Sequence, residues 1–247
     1  MMRYSVLVFM FILFFSFECH SYTLYWLTGA GIKRPAQMIA KAYNETHKDK
    51  VVIIAGGSGQ VLNQIIQSKR GDIYTLVDVD FLNRAKRFNA ISTYKKILKL
   101  TPIFLLSRIG EKKIGNFYDL SKVGTKIAGG NPKAMCLGKT FEQIMSKLPS
   151  ELANKIQKNI RIRCLNVFQI VGYVKEGVVD AGIVLDKALI KSTHLKYITI
   201  PQKYNVNRYG YVALVSYSKH KEAAKELYNF ILTHLYVYKN YGFEVLK

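Results

Sequence analysis

The chain alternates between two hydrophobic periods, and that alternation restricts its fold more than any other feature. Tyr22 to Leu27 ("YTLYWL") and Lys50 to Gly56 ("KVVIIAG") are rich in β-branched and aromatic residues and read as strands. Between them Pro35 suits a first helical turn, and Met38, Ile39, Ala42 and Tyr43 recur at helical spacing. A strand, a helix and a strand within about thirty residues form a βαβ unit, which implies parallel pairing. The pattern continues with helix "QVLNQIIQSKR", strand "DIYTLVD", helix "DFLNRAKRFN" and a strand beginning near Leu100 in "LTPIFLLS". Strand "KIAGG", helix "LGKTFEQIMSKL", strand "RIRCLN", helix "FQIVGYVKEG" and strand "DAGIVLD" follow. A strand "YGYVALVS" precedes a single long closing helix, "KHKEAAKELYNFILTHLYVYKNYG". No internal repeat or low-complexity linker interrupts this order, so the class is α/β with open, mostly parallel sheets flanked by helices.

The first residues depart from the pattern. "MMRYSVLVFMFILFFSFECHS" carries one arginine, an apolar run from Val6 to Phe15 and small residues at Cys19 and Ser21, the layout of a secretory signal with cleavage after Ser21. The run is short for a membrane span. Phe17 and Glu18 stand where a lipoprotein signal needs small residues, which argues against lipidation of Cys19. Export leaves Cys136 and Cys164 in a compartment that permits disulfides; they either pair or serve as small buried hydrophobes. The formal charge of +21 stays with the folded part, because the segment takes Arg3 and Glu18 away together. That field favours anionic ligands or surfaces. The lysines are scattered through the chain, without the clustered stripe and motif of a nucleic-acid binder.

In open α/β sheets ligands sit beyond the carboxyl ends of strands, at loops leading into helices. The junctions "LTGAGIKRPA", "AGGSGQVL", "GGNPKAMCLGK" and "CLNVFQIV" qualify, and none offers a pair of carboxylates. They present backbone N–H groups and small hydroxyls, which suits an oxyanion held without a countercharge. "GKT" at Gly138 to Thr140 spells the end of a phosphate-binding P-loop, but Lys133 occupies the position where that loop needs glycine. An anion at the N-terminus of the following helix remains compatible. "GGSGQ" resembles a nucleophile elbow except that Gln60 replaces the second glycine, and no histidine (His47, His194, His220, His234) has a distinctive context. Cysteines and histidines lack metal-ligand spacing. Asp78 and Asp80 read as a strand end and a helix cap. The aromatic tail "LYVYKNYGF" suits either a sugar platform or core.

"TGAGIKRPAQMIAKAY", "GGSGQVLNQIIQ", "GDIYTLVD", "GGNPKAMCLGKTFEQIM", "NVFQIVGYVKEGVVDAGIVLDKAL", "YNFI" and "YGFEVLK" together resemble the periplasmic molybdate-binding proteins of ABC transporters, within the type II solute-binding fold. The resemblance runs over essentially the whole chain after the signal. It implies a two-lobed periplasmic monomer with a ligand cleft between lobes: residues 1–21 as signal, 22–102 plus 205–247 as lobe one, and 103–204 as lobe two. It implies capture of molybdate or tungstate, handed to a membrane permease, with no enzymatic step, no cofactor and no metal held by the protein itself. Carried over by position, the ligand contacts fall at Thr28, Ala30 and Gly31, at Gly57, Ser58 and Gly59, at Cys136 and Leu137, at Val167 after Asn166, and at Leu185. A family serine is replaced by Gly31 and a family tyrosine by Leu185, so two hydroxyl donors are missing. Thr28, Lys33, Arg34 or Lys139 would have to replace them, or the ligand is another anion, such as a phosphorylated or carboxylated metabolite. A different reading is an exported protein that reuses the fold as a surface adhesin; a serine hydrolase acting through Ser58 is more remote.

Overall fold

The computed structural model describes residues 21–133, 135–186 and 194–246; the expected signal run and Cys19 lie outside them. A six-stranded sheet is built from β1 (Thr23–Gly29), β2 (Lys50–Gly56), β3 (Ile73–Val77), β4 (Ile91–Leu100), β10 (Arg208–Val215) and β11 (Glu244–Val245). A five-stranded sheet holds β5 (Ile103–Leu106), β6 (Ile127–Gly130), β7 (Ile160–Cys164), β8 (Ala181–Val184) and β9 (Tyr197–Thr199). The first sheet orders its strands β11-β4-β10-β3-β1-β2, the second β7-β6-β8-β5-β9.

Helices α1 (Lys33–Thr46), α8 (Lys221–Thr233) and α9 (Tyr236–Asn240) cover one face of the first sheet, around buried Trp26, Ile39, Tyr43 and Leu227. Helices α2 (Ser58–Ser68) and α3 (Val79–Arg87) cover the other, around Leu62, Ile65, Tyr74 and Leu82. The second sheet packs with α5 (Cys136–Ser146), α6 (Ser150–Lys158) and α7 (Val167–Lys175) around Phe104, Phe117, Phe141 and Ile170. A four-residue helix, α4 (Gly110–Lys113), follows β5.

The expectation of mostly parallel sheets needs correction. β1 is parallel to β2 and β3, and β6 to β7 and β8, where helices make the crossovers. β10 runs antiparallel to both β3 and β4, and β5 antiparallel to β8 and β9. β5 and β10 lie next to the crossings between sheets, while β11, antiparallel to β4, adds the carboxyl-terminal edge. β4 hands over to β5 through residues 101–102, far too few for a crossover helix, and β10 brings the chain back. Within the long closing helix that the sequence suggests, α8 stops at Thr233 and α9 restarts at Tyr236, which turns Tyr238 fully into the core.

Both inter-sheet crossings are tied together by hydrogen bonds. Asn205 Nδ2 donates to Pro102 O at 3.0 Å, Thr101 Oγ1 to Asn207 Oδ1 at 3.2 Å, and Lys147 Nζ to Asn205 O at 3.1 Å.

Candidate functional site

Strand register decides where the site forms. Gly29 at the end of β1 pairs with Gly56 at the end of β2, so α1 and α2 spring from neighbouring points. In the second sheet Gly130 at the end of β6 pairs with Cys164 at the end of β7, which places the starts of α5 and α7 side by side. The four helix starts meet around one cavity of about 100 Å³, whose walls come from both sheets' connections.

Ala30, Gly31, Gly57, Ser58, Cys136, Leu137, Val167 and Leu185 all line this cavity. Thr28 does not. It is fully buried one residue short of the strand end, where its hydroxyl accepts from Thr75 Oγ1 at 2.7 Å behind the indole of Trp26, whose Nε1 donates to Thr75 at 3.0 Å. Gly59 is also placed elsewhere. As the second residue of α2 it has turned to the outer side of the helix, under the ring of Phe81, and faces a separate groove. Lys33 and Arg34 are absent from the cavity wall, and Lys139 lies in the same outer groove, 3.6 Å from Asp80. None of the basic replacements for the missing hydroxyls therefore reaches the cavity.

Sequence reasoning missed the apolar part of the wall: Val77, Leu100, Met135, Leu165 and Phe243. These come from strand ends, helix caps and the carboxyl-terminal tail, positions that share no sequence pattern and meet only through topology. Phe243 shows that the aromatic tail serves as core and cavity wall, with Tyr238 buried beside it at 6.2 Å between ring centroids. Asp186 was missed as well. It is a buried carboxylate at the edge of the cavity that accepts from the Thr101 backbone N–H at 3.3 Å, at the crossing between the sheets.

The polar equipment is sparse and mostly backbone. α2 and α5 begin without a side-chain cap, so their leading N–H groups project from Gly57–Ser58 and Cys136–Leu137, where helix dipoles favour negative charge. Asn166 caps α7 through the Gln169 N–H at 3.0 Å, leaving the first N–H groups of that helix available. The Ser58 carbonyl is held by the hydroxyl of buried Tyr74 at 2.9 Å, which fixes the start of α2. The loop before α5 returns tightly onto its own helix: a Cβ at Gly138 would come within 2.4 Å of Asn131 C and Pro132 N, so only glycine permits that approach.

Behind the start of α5 lies a buried ionic cluster. Arg208 Nη1 stands 3.3 Å from Asp78 Oδ2, its Nε donates to Thr140 Oγ1 at 2.7 Å, and its Nη2 donates to Gln143 Oε1. Arg208 thus ties β10 and the strand-end residue Asp78 to α5 of the other sheet's layer. Asp78 also caps α3, accepting from the Asp80 N–H at 3.1 Å, as its position in the sequence suggests. Burial, and secondarily the charge of Asp78, push the Cys136 thiol up to about 12, so it faces the cavity as a neutral group. Cys136 and Cys164 are both buried and free, in different cores, which resolves their alternatives in favour of small hydrophobes.

Among the described residues no histidine lines the cavity, so Ser58 lacks there the histidine of a hydrolase triad. Gly57 before it has an ordinary φ of −60°, unlike a strained elbow. Among the described residues no group of three or more His, Cys, Asp or Glu could hold a metal ion, and no helix is long and apolar enough to cross a membrane.

Two sheets flanked by helices, with a cavity where helix starts from both converge, define a two-lobed binding fold of the periplasmic type II class. The chain belongs to the bacterial extracellular solute-binding proteins, whose family pattern matches residues 24–244. It is 26% identical over 215 residues to a Haemophilus influenzae protein named as a binding protein, covering 87% of each chain. It is 24% identical to YvgL of Bacillus subtilis, named as an ABC transporter substrate-binding lipoprotein, over 90% of this chain and 86% of that one. The periplasmic molybdate-binding protein of Azotobacter vinelandii superposes with a TM-score of 0.75, at 18% identity, over 91% of this chain and 100% of that structure, a likeness of fold. The family is one of binding proteins rather than enzymes, and its members are exported.

Proposed function

We propose that this protein captures a small tetrahedral oxyanion, molybdate or tungstate, in the periplasm and delivers it to the membrane permease of an ABC importer, acting as a monomer without catalysis or cofactor. The observation that carries the reading is the convergence of uncapped α2 and α5 starts, with the Ser58 hydroxyl, on a cavity of about 100 Å³, small enough to select an ion over a drug-sized molecule. Backbone N–H groups hold an oxyanion without a countercharge, and the apolar wall of Val77, Leu100 and Phe243 strengthens each of those bonds by excluding water. The likeness to the Azotobacter vinelandii protein in fold supports molybdate as the first ligand to try.

Gly31 and Leu185 favour a second reading, in which the site has moved to a different small anion. Each lies in the cavity where the family hydroxyl would donate, and among the described residues Ser58 is the one hydroxyl in the wall. Calorimetric titration of the protein from Tyr22 onward with molybdate, tungstate, sulfate and phosphate decides between them. Submicromolar molybdate or tungstate binding, weakened about tenfold to a hundredfold by Ser58→Ala, supports the first. Preference for phosphate or sulfate rejects molybdate and supports the second; heat with none of the four rejects molybdate and leaves a phosphorylated or carboxylated metabolite, or a surface adhesin.

A further inference from the structure

The cavity and its surroundings divide the electrostatic work unevenly. Among the described residues the cavity wall carries no Lys, Arg or His, and Asp186 is its one carboxylate. Immediately outside, sharing Met135 with the cavity, lies a groove of about 910 Å³ between α2 and α3 on one side and the loop before α5 on the other. Four cations line it: Arg84, Arg87, Lys133 and Lys139. Asp80 is the one carboxylate in its wall, and it is engaged with Lys139. Arg84 is turned to Asn63 Oδ1 at 2.6 Å, whereas Arg87 and Lys133 are exposed and make no ion pair among the described residues. The groove spans the two layers, so cations from both sides of the cleft converge on its mouth.

We propose that this groove is the capture vestibule of the cleft: it concentrates small oxyanions and feeds them past Met135 to the cavity, and Arg87 and Lys133 accelerate arrival without touching the seated ion. Clefts lined by charge of one sign raise the local concentration and association rate of an oppositely charged ligand, and exposed charges do so in a salt-dependent way. The groove gathers four cations beside the cavity, although the lysines of the chain are scattered in sequence. The inference rests on the oxyanion reading for its cargo.

The test is stopped-flow mixing of molybdate with the unaltered protein and with the double variant Arg87→Gln/Lys133→Gln at low and high salt. Both side chains are exposed at the surface, so the variant is expected to fold normally. The vestibule predicts association slowed about three- to tenfold at low salt, a flatter dependence of that rate on salt, and an unchanged dissociation rate. Unchanged association overturns it. A raised dissociation rate also overturns it, because the cations would then contact the bound ligand. If the unaltered protein gives no molybdate signal, the molybdate reading fails while the vestibule is still read by nuclear magnetic resonance with millimolar molybdate. Salt-sensitive shifts of the Gly59, Asn63 and Lys133 amides, lost in the double variant, uphold it, and their absence overturns it.

Discussion

At Gly31 the absence of a side chain is a matter of choice rather than of space. A Cβ built there meets nothing within 4 Å, so the residue is not glycine for want of room. Gly31→Ser places a hydroxyl at the cavity wall, and a hydrogen bond to a charged partner contributes about 1.5 to 3 kcal/mol. If molybdate is the cargo, calorimetry of Gly31→Ser will show affinity at least about tenfold tighter; if the site serves another anion, the serine will leave that affinity unchanged or weaken it. Cys136 allows a second residue-scale prediction. Its thiol is held neutral, with a folded value of about 12 against 9.0 for a free thiol, chiefly by burial. The native state therefore keeps a proton that the unfolded chain releases between those values. The contribution is fully present below pH 9 and is lost as pH rises toward 12. Unfolding curves over that window will fall with pH, and Cys136→Ala will remove part of the slope. The site was legible in sequence where a backbone turn carries the chemistry, as at Gly57–Ser58 and Cys136–Leu137. It was not legible at Thr28 and Gly59, because which side of a strand end or a helix's first turn meets the cleft depends on packing partners, here Thr75 and Phe81.

Among the elements, the βαβ units were legible and the connectors were not. β4 went unread because Ser92 to Lys96 are all exposed, so its first half has no hydrophobic alternation to betray it; its buried residues are Ile91 and then Ile97, Leu98 and Leu100. α6 went unread because Ile156 is its one fully buried residue, with Leu152 and Ala153 packed only partly against the core. Both are held by neighbours rather than by their own pattern. The join between α5 and the first sheet is the opposite case, a specific polar contact. Arg208 and Asp78 are both buried, and Arg208 alone balances that carboxylate while donating to Thr140 and Gln143. Arg208→Met leaves a buried unpaired charge at Asp78, a loss of about 3 to 5 kcal/mol. The double variant Arg208→Met/Asp78→Asn, which removes the charge as well, will recover much of it. Urea unfolding of the three proteins checks this, and a single variant as stable as the unaltered protein would show that the cluster contributes nothing.

For the whole molecule, the decisive property is that the cavity belongs to neither layer alone. Gly31 and Ser58 come from the first sheet's helices, and Leu137 and Val167 from the second's, with residues 101–102 as one of the two crossings between them. A ligand seated there adds its binding energy to the association of the two lobes, and hinge closure around ligands is how such molecules convert occupancy into shape. Binding to the native state at a hundred times the dissociation constant stabilises by about 2.7 kcal/mol. For a chain of this length that corresponds to a rise in Tm of roughly 5 to 10 °C. An ion seated in this cavity touches both lobes, so the proposed site predicts that the rise belongs to a single transition in a calorimetric scan. Two transitions, one shifted and one fixed, would mean that the ligand is held by one lobe and that the convergence of helix starts does not form the site. The same scan on Ser58→Ala separates contact from charge. Loss of the shift places the anion at the start of α2, while a shift retained in full with the ion bound elsewhere removes the cavity from the argument.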